Sequence, residues 1–344
     1  MQYGYKDWVP SQSYYAFATA AGCAPSLPYL RNGSTPIFEC LVGKDSATLI
    51  NASATVSQEG SYGTWAFLPV TDGVFVQDLP SRQFARRQVN GVNMLVGNNA
   101  NEGVGFTPQV VQTEEDLVDY LRVTFPLFSN NDIAKLLYYY PSTNASVDSN
   151  AELFATEGDF GPTALNQSSV GSGQQQRADN IYAETTFVCP AYWMAEAYSD
   201  NRMGGQGYKY QFSIPPATHG QDVAGYFNYP GQYYSVDFTT AFQKIWGNFV
   251  ISSNPSISDA VANGASTGNV TVNAASTFPP YSIYAPYQID LNTTCPVVTE
   301  LRGVDYCNSS TAINNFQVVN AYTWEGGRGT RCDFWRAAGE LVPN

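Results

Sequence analysis

Histidine is almost missing from this chain: its 344 residues include one, His219, against 24 Tyr, 19 Phe and 6 Trp. Any imidazole chemistry therefore runs through a single side chain. Positive charge is scarce too, with Lys+Arg 16 against Asp+Glu 29 and a formal net charge of −13. A chain of that sign repels a phosphate backbone, which sets nucleic-acid binding aside. The six cysteines, Cys23, Cys40, Cys189, Cys295, Cys307 and Cys332, form no close CxxC pair. That spacing argues against a zinc or redox site and for disulfides, and no metal or cofactor is implied. No apolar run approaches the ~18 residues of a transmembrane helix. The opening MQYGYKDWVP lacks the basic and apolar regions of a signal peptide, and the closing ELVPN matches no lipidation or retention signal.

What is present is enough apolar content, 44% of residues, to bury a large core. Asn-x-Ser/Thr acceptor sites occur at Asn32, Asn51, Asn144, Asn166, Asn269, Asn292 and Asn308, a set expected of an exported glycoprotein. Export and the missing signal peptide agree if an N-terminal segment has been lost, so a secreted protein is expected. The stretch 165–176, LNQSSVGSGQQQ, reads as a surface loop. No linker divides the chain, and 1–344 is taken as a single domain.

Helices are expected at 113–123 behind Thr113, at 130–139 behind Ser129, from about Arg177 to Tyr198, and at 238–250, where Phe242, Ile245, Trp246 and Phe249 share one face. Strands are expected at 92–96 (VNMLV) and 208–214 (YKYQFSI). The alternation points to an α/β domain with a mostly parallel sheet, in which functional groups sit past the carboxyl ends of the strands. After VNMLV comes the Gly/Asn-rich turn Gly97–Gly103, which presents Glu102. After YKYQFSI comes Pro215-Pro216-Ala217-Thr218-His219-Gly220-Gln221-Asp222. An acid and then a histidine at the mouths of successive strands is the acid-then-base order of a serine-hydrolase triad, in which a carboxylate orients an imidazole that deprotonates a serine.

LPVTDGVFVQDLP (68–80), MLVGNNANEGVGF (94–106), PPATHGQDVAGYF (215–227), FTTAFQKIWGNFVISSNPS (238–256) and CDFW (332–335) resemble, in order, the type-B carboxylesterases and lipases, the cholinesterase-like α/β hydrolases, in their fungal secreted form. The resemblance implies the C-terminal portion of an α/β-hydrolase fold, with a helical insertion at roughly 107–200 and the N-terminal part with the nucleophile elbow missing. It implies Glu102 as triad acid, His219 as triad base, a bridge between Cys23 and Cys40, and a small-molecule or lipid ester as substrate. Three pairings remain open for Cys189, Cys295, Cys307 and Cys332, and the oligomeric state is unknown. Asp222 stands where the family often has Glu and reads as structural; Asp72 reads as a turn former.

The family's glycine-rich oxyanion segment and GESAG-type elbow are not in this sequence. The string Gly264-Ala265-Ser266-Thr267-Gly268 follows the histidine, without the strand-turn-helix that an elbow needs. Ser266 reads as a loop serine, and the chain alone is expected to be inactive. Two other classes remain. A non-catalytic cholinesterase-like binding module would not need both Glu102 and His219. A secreted carbohydrate-active protein would need a carboxylate pair across a cleft, and the sequence singles out none.

Overall fold

The computed structural model describes residues 4–24, 36–60, 63, 65–141, 170–199, 204–227, 234–294, 298–301, 304–307 and 312–342. They form two compact units, Met1–Pro80 with Pro343–Asn344, and Ser81–Val342. In the first, helices α1 (Trp8–Ala20), α2 (Ile37–Val42) and α3 (Ser46–Gln58) bury Ala18, Ala21, Leu41 and Ala52 around the Cys23–Cys40 disulfide. Asp72 is the turn former expected of it: its Oδ1 accepts the backbone N–H groups of Val74, Phe75 and Val76 at 3.0, 2.9 and 2.9 Å.

The second unit is built on a mixed sheet of β1 (Met94–Asn99), β2 (Gly207–Phe212), β3 (Pro280–Tyr281), β4 (Tyr287–Thr294) and β7 (Ile313–Asn320). A separate ribbon pairs β5 (Val298–Leu301) with β6 (Val304–Cys307). β1, β2 and β4 run parallel, while β7 pairs antiparallel with β4, and β3 with β2. An antiparallel edge on a parallel sheet is a common arrangement. Helix α4 (Pro80–Ala85) precedes β1. Between β1 and β2 run α5 (Glu114–Thr124), α6 (Asn130–Tyr139), α7 (Gly173–Ala183), a π-helical turn (Glu184–Val188) and α8 (Cys189–Tyr198). Thr113 and Ser129 start α5 and α6 through capping boxes with Asp116 and Asp132. After β2 come α9 (Gln221–Phe227), α10 (Val236–Ser252) and α11 (Asp259–Ala262); α12 (Trp324–Ala337) follows β7.

The two faces of β2 differ in chemistry because successive side chains alternate. Tyr208, Tyr210 and Phe212 join the apolar core with Phe238, Ala241, Phe242 and Ile245 of α10. Each fully buried phenylalanine there contributes roughly 1.5–3 kcal/mol. The opposite face, Lys209 and Gln211, is equally buried and meets polar partners. Lys209 Nζ donates to Asn98 Oδ1 at 2.5 Å, and Arg328 of α12 donates to Gln211 Oε1 at 2.6 Å.

Two expectations need correction. The stretch 165–176 is not all surface loop: α7 starts at Gly173, and Gln174 and Gln176 are buried, because a polar helix can be buried when its amides have partners such as Asn180, which accepts from Gln176 at 2.9 Å. The third helix thus begins earlier than Arg177, and a π-helical turn interrupts it. Asn292, read as a glycan acceptor, is 6% exposed within β4, where a glycan has no room. Asn51 and Asn269 are exposed; Asn32, Asn144, Asn166 and Asn308 lie outside the described residues.

Candidate active site

Parallel pairing of β1 with β2 brings their carboxyl ends side by side, so the turns that follow them are neighbours. Backbone and side chain fasten the two together: Asn101 N–H donates to Ala217 O at 2.9 Å, and Asn101 Nδ2 to Pro216 O at 2.7 Å. One turn carries Glu102, the other His219. His219 Nδ1 lies 2.5 Å from Glu102 Oε2. The carboxylate's other oxygen is held by Asn99, whose backbone N–H and side-chain Nδ2 donate to Oε1 at 2.6 and 3.1 Å. With one oxygen fixed by Asn99, the second is aimed at the imidazole.

Asn99 also ties in Asp222. Its Nδ2 donates to Asp222 Oδ1, and Asp222 N–H donates back to Asn99 Oδ1, each at 3.1 Å. Tyr210 Oη donates to Asp222 Oδ2 at 3.2 Å. Burial foremost pushes the Asp222 carboxyl above its ordinary value, and the nearby Glu102 adds to this. The hydrogen bond to Glu102, helped by its charge and that of Asp222, holds His219 above its ordinary value despite partial burial. Glu102 accepting at Nδ1 places the lone pair of the neutral ring on Nε2. Nε2 has no hydrogen-bond partner among the described residues, and 46% of the His219 side chain is exposed, so the ring is open to a hydroxyl.

Two aromatic side chains flank the imidazole. Phe187 lies with ring centroids 4.4 Å apart and planes at 33°, and Phe106 at 5.1 Å and 80°. Sequence reading missed Asn99, Phe106 and Phe187. Asn99 and Phe106 lie within the stretch that carries Glu102, so proximity was a usable signal; Phe187 had none. Ser266 is exposed, and both its N–H and its hydroxyl donate to Asp237, not to His219. Cys189 and Cys332 form the second disulfide, and Cys295 lies outside the described residues. Among the described residues no His/Cys/Asp/Glu group is placed to hold a metal ion, and no helix is long and apolar enough to cross a membrane.

The model of the carboxylesterase family matches residues 2–298. Carboxylesterase patB of Penicillium expansum is 26% identical over 216 residues, 62% of this chain and 34% of that protein. Secreted lipase 4 of Gibberella zeae is 23% identical over 177 residues, 51% of this chain and 29% of that one. The chain thus spans about a third of the length of these relatives. The crystal structure of Aspergillus niger EstA superposes with a TM-score of 0.64 at 15% identity, covering 100% of this chain and 57% of that one.

Proposed function

This chain belongs to the carboxylesterase family, and from that premise we propose that it supplies the acid, Glu102, and the base, His219, of a carboxylic ester hydrolase acting through an acyl-enzyme. The observation that carries the reading is the 2.5 Å contact of His219 Nδ1 with Glu102 Oε2, with Nε2 without a hydrogen-bond partner among the described residues on a half-exposed ring. In this reaction Nε2 takes the proton of an attacking serine hydroxyl and later returns it to the leaving alcohol, while Glu102 holds the tautomer and stabilises the imidazolium. No cofactor enters these steps. The substrate is a small-molecule or lipid ester. The protein is extracellular, in keeping with its disulfides and its secreted relative, with Asn51 and Asn269 as its glycan acceptors among the described residues.

The reading has this chain inactive by itself on that route, which is supported by the lack of a GESAG-type elbow in its sequence and by the lack of a hydrogen-bonded hydroxyl at Nε2 among the described residues. The test is labelling by a fluorophosphonate and turnover of a short-chain nitrophenyl ester. The chain alone is expected to show neither, and fusion to the N-terminal part of a related carboxylesterase, with its serine elbow and oxyanion segment, to confer both. Labelling of the unfused chain that Ser266→Ala abolishes would overturn this reading.

A further inference from the structure

Among the described residues, the aromatic ring closest to His219 comes from neither triad turn. Phe187 lies on the π-helical turn Glu184–Val188, in which Cys189 N–H reaches back to Glu184 O, five residues earlier. Such a turn holds one residue more than an α-helical one, so side chains beyond it are rotated by about 100° from where an uninterrupted helix would point them. The turn is clamped at both ends to the same helix. At its start the Glu184 carboxylate accepts from Arg331 Nε and Nη2 at 2.8 and 2.6 Å, from Arg328 Nε at 3.1 Å, and from Tyr140 Oη at 2.5 Å. At its end Cys189 is bonded to Cys332, so Arg328, Arg331 and Cys332 all belong to α12. Burial pushes the Glu184 carboxyl up, but the two arginines outweigh it and keep it ionised. A buried pair of this kind is weak evidence for stability, yet removing a partner is costly, so the clamp holds one geometry.

We propose that Phe187 is a positioning residue for His219. The clamped π-helical turn presents its ring to the imidazole so that Nδ1–H stays aimed at Glu102 and Nε2 stays outward. The inference rests on the reading of Glu102 and His219 as acid and base. The physical need comes from exposure: an imidazole half open to water keeps rotamer freedom that a single hydrogen bond does not remove. Phe187 covers its face, and Phe106, packed on Phe187 at 5.4 Å and on Tyr182 at 5.4 Å, closes the edge. An aromatic face also favours the imidazolium, which forms when the base takes up its proton.

Because the chain has one histidine, a ¹⁵N-histidine-labelled sample gives one imidazole spin system, read by nitrogen–proton correlation spectra across pH. The wild-type chain is expected to show a slowly exchanging proton on Nδ1 and a raised His219 pKa, and Glu102→Gln to lose both. Phe187→Leu keeps the bulk and removes the ring. It and Phe187→Ala should lose the Nδ1 proton signal to exchange and lower the His219 pKa by roughly half a unit. Phe187→Tyr should restore both, and Tyr138→Ala, at an exposed aromatic elsewhere, should change neither. Far-UV circular dichroism checks that each variant is folded. If folded Phe187→Leu keeps the wild-type signal and pKa, the positioning role is overturned while the Glu102–His219 pair stands. If the wild-type chain shows no Nδ1 hydrogen bond, the pair itself falls, and the positioning role with it.

Discussion

Gly103, the residue after Glu102, passes so close to the helix behind it that a Cβ there would lie 1.9 Å from the carbonyl oxygen of Asp179. Only a residue without a side chain lets the acid-bearing turn settle against α7. Gly103→Ala forces backbone apart from backbone and is expected to cost roughly 3 kcal/mol, the upper range for overpacking. Gly105 has φ +87 but, its chain neighbours aside, no described atom within 4 Å of a Cβ, so Gly105→Ala carries left-handed strain, about 1–2 kcal/mol. Urea unfolding of the two variants is expected to rank them in that order; equal losses would refute the contact.

In the fused enzyme, His219→Ala removes the base and should lower kcat on the order of 10⁶-fold, whereas Glu102→Gln, which leaves an unoriented imidazole, should cost on the order of 10⁴-fold. The base must be unprotonated, so kcat/KM should fall as pH drops through the His219 pKa. That inflection lies above the ordinary histidine value because of Glu102. In Glu102→Gln it should move down, and an unmoved inflection would exclude Glu102 as its cause.

Asp290 gives the fold its own pH dependence. It is buried beneath the Ser213 hydroxyl, and desolvation pushes its carboxyl up to about 7. Below the ordinary aspartate value both folded and unfolded chains hold the proton. Above it the unfolded chain releases the proton while the folded chain keeps it, so stability falls as pH rises from about 4 to about 7. Glu325, raised by burial to about 8, acts in the same direction. Asp290→Asn mimics the protonated acid and should flatten this slope, gaining on the order of 2–4 kcal/mol over wild type at pH 7.5 and little at pH 4. Urea midpoints at the two pH values decide it, and a gain equal at both would contradict the burial argument.

The two disulfides among the described residues close loops of very different size, with sequence separations of 17 for Cys23–Cys40 and 143 for Cys189–Cys332. Chain entropy gives roughly 3 and 5 kcal/mol respectively. Replacing Cys189 and Cys332 by serine should therefore lower the unfolding free energy of the Ser81–Val342 unit more than the Cys23/Cys40 replacement lowers that of the other unit, each read as the midpoint multiplied by its own denaturant slope. Near-UV circular dichroism and denaturant titration with each pair removed provide the comparison.

The sequence by itself determined what depends on neighbours along the chain. Thr113 and Ser129 open helices because their hydroxyls and the acids three residues on satisfy the first free N–H groups. Glu102 and His219 were legible because each follows an apolar strand in a glycine-marked turn. Tertiary structure alone decided the rest. Nothing beside Lys209 and Gln211 along the chain says what covers them; Lys209 is buried against Asn98 of the neighbouring strand, and Gln211 against Arg328 of α12, more than 100 residues later. Asn292 looks like a loop acceptor until β7 pairs with its strand. Phe187 meets His219 from a π-helical turn whose two ends are bonded to Arg328, Arg331 and Cys332, more than 100 residues on. Contacts between residues so far apart are set by which surfaces pack together, and no local spacing encodes that.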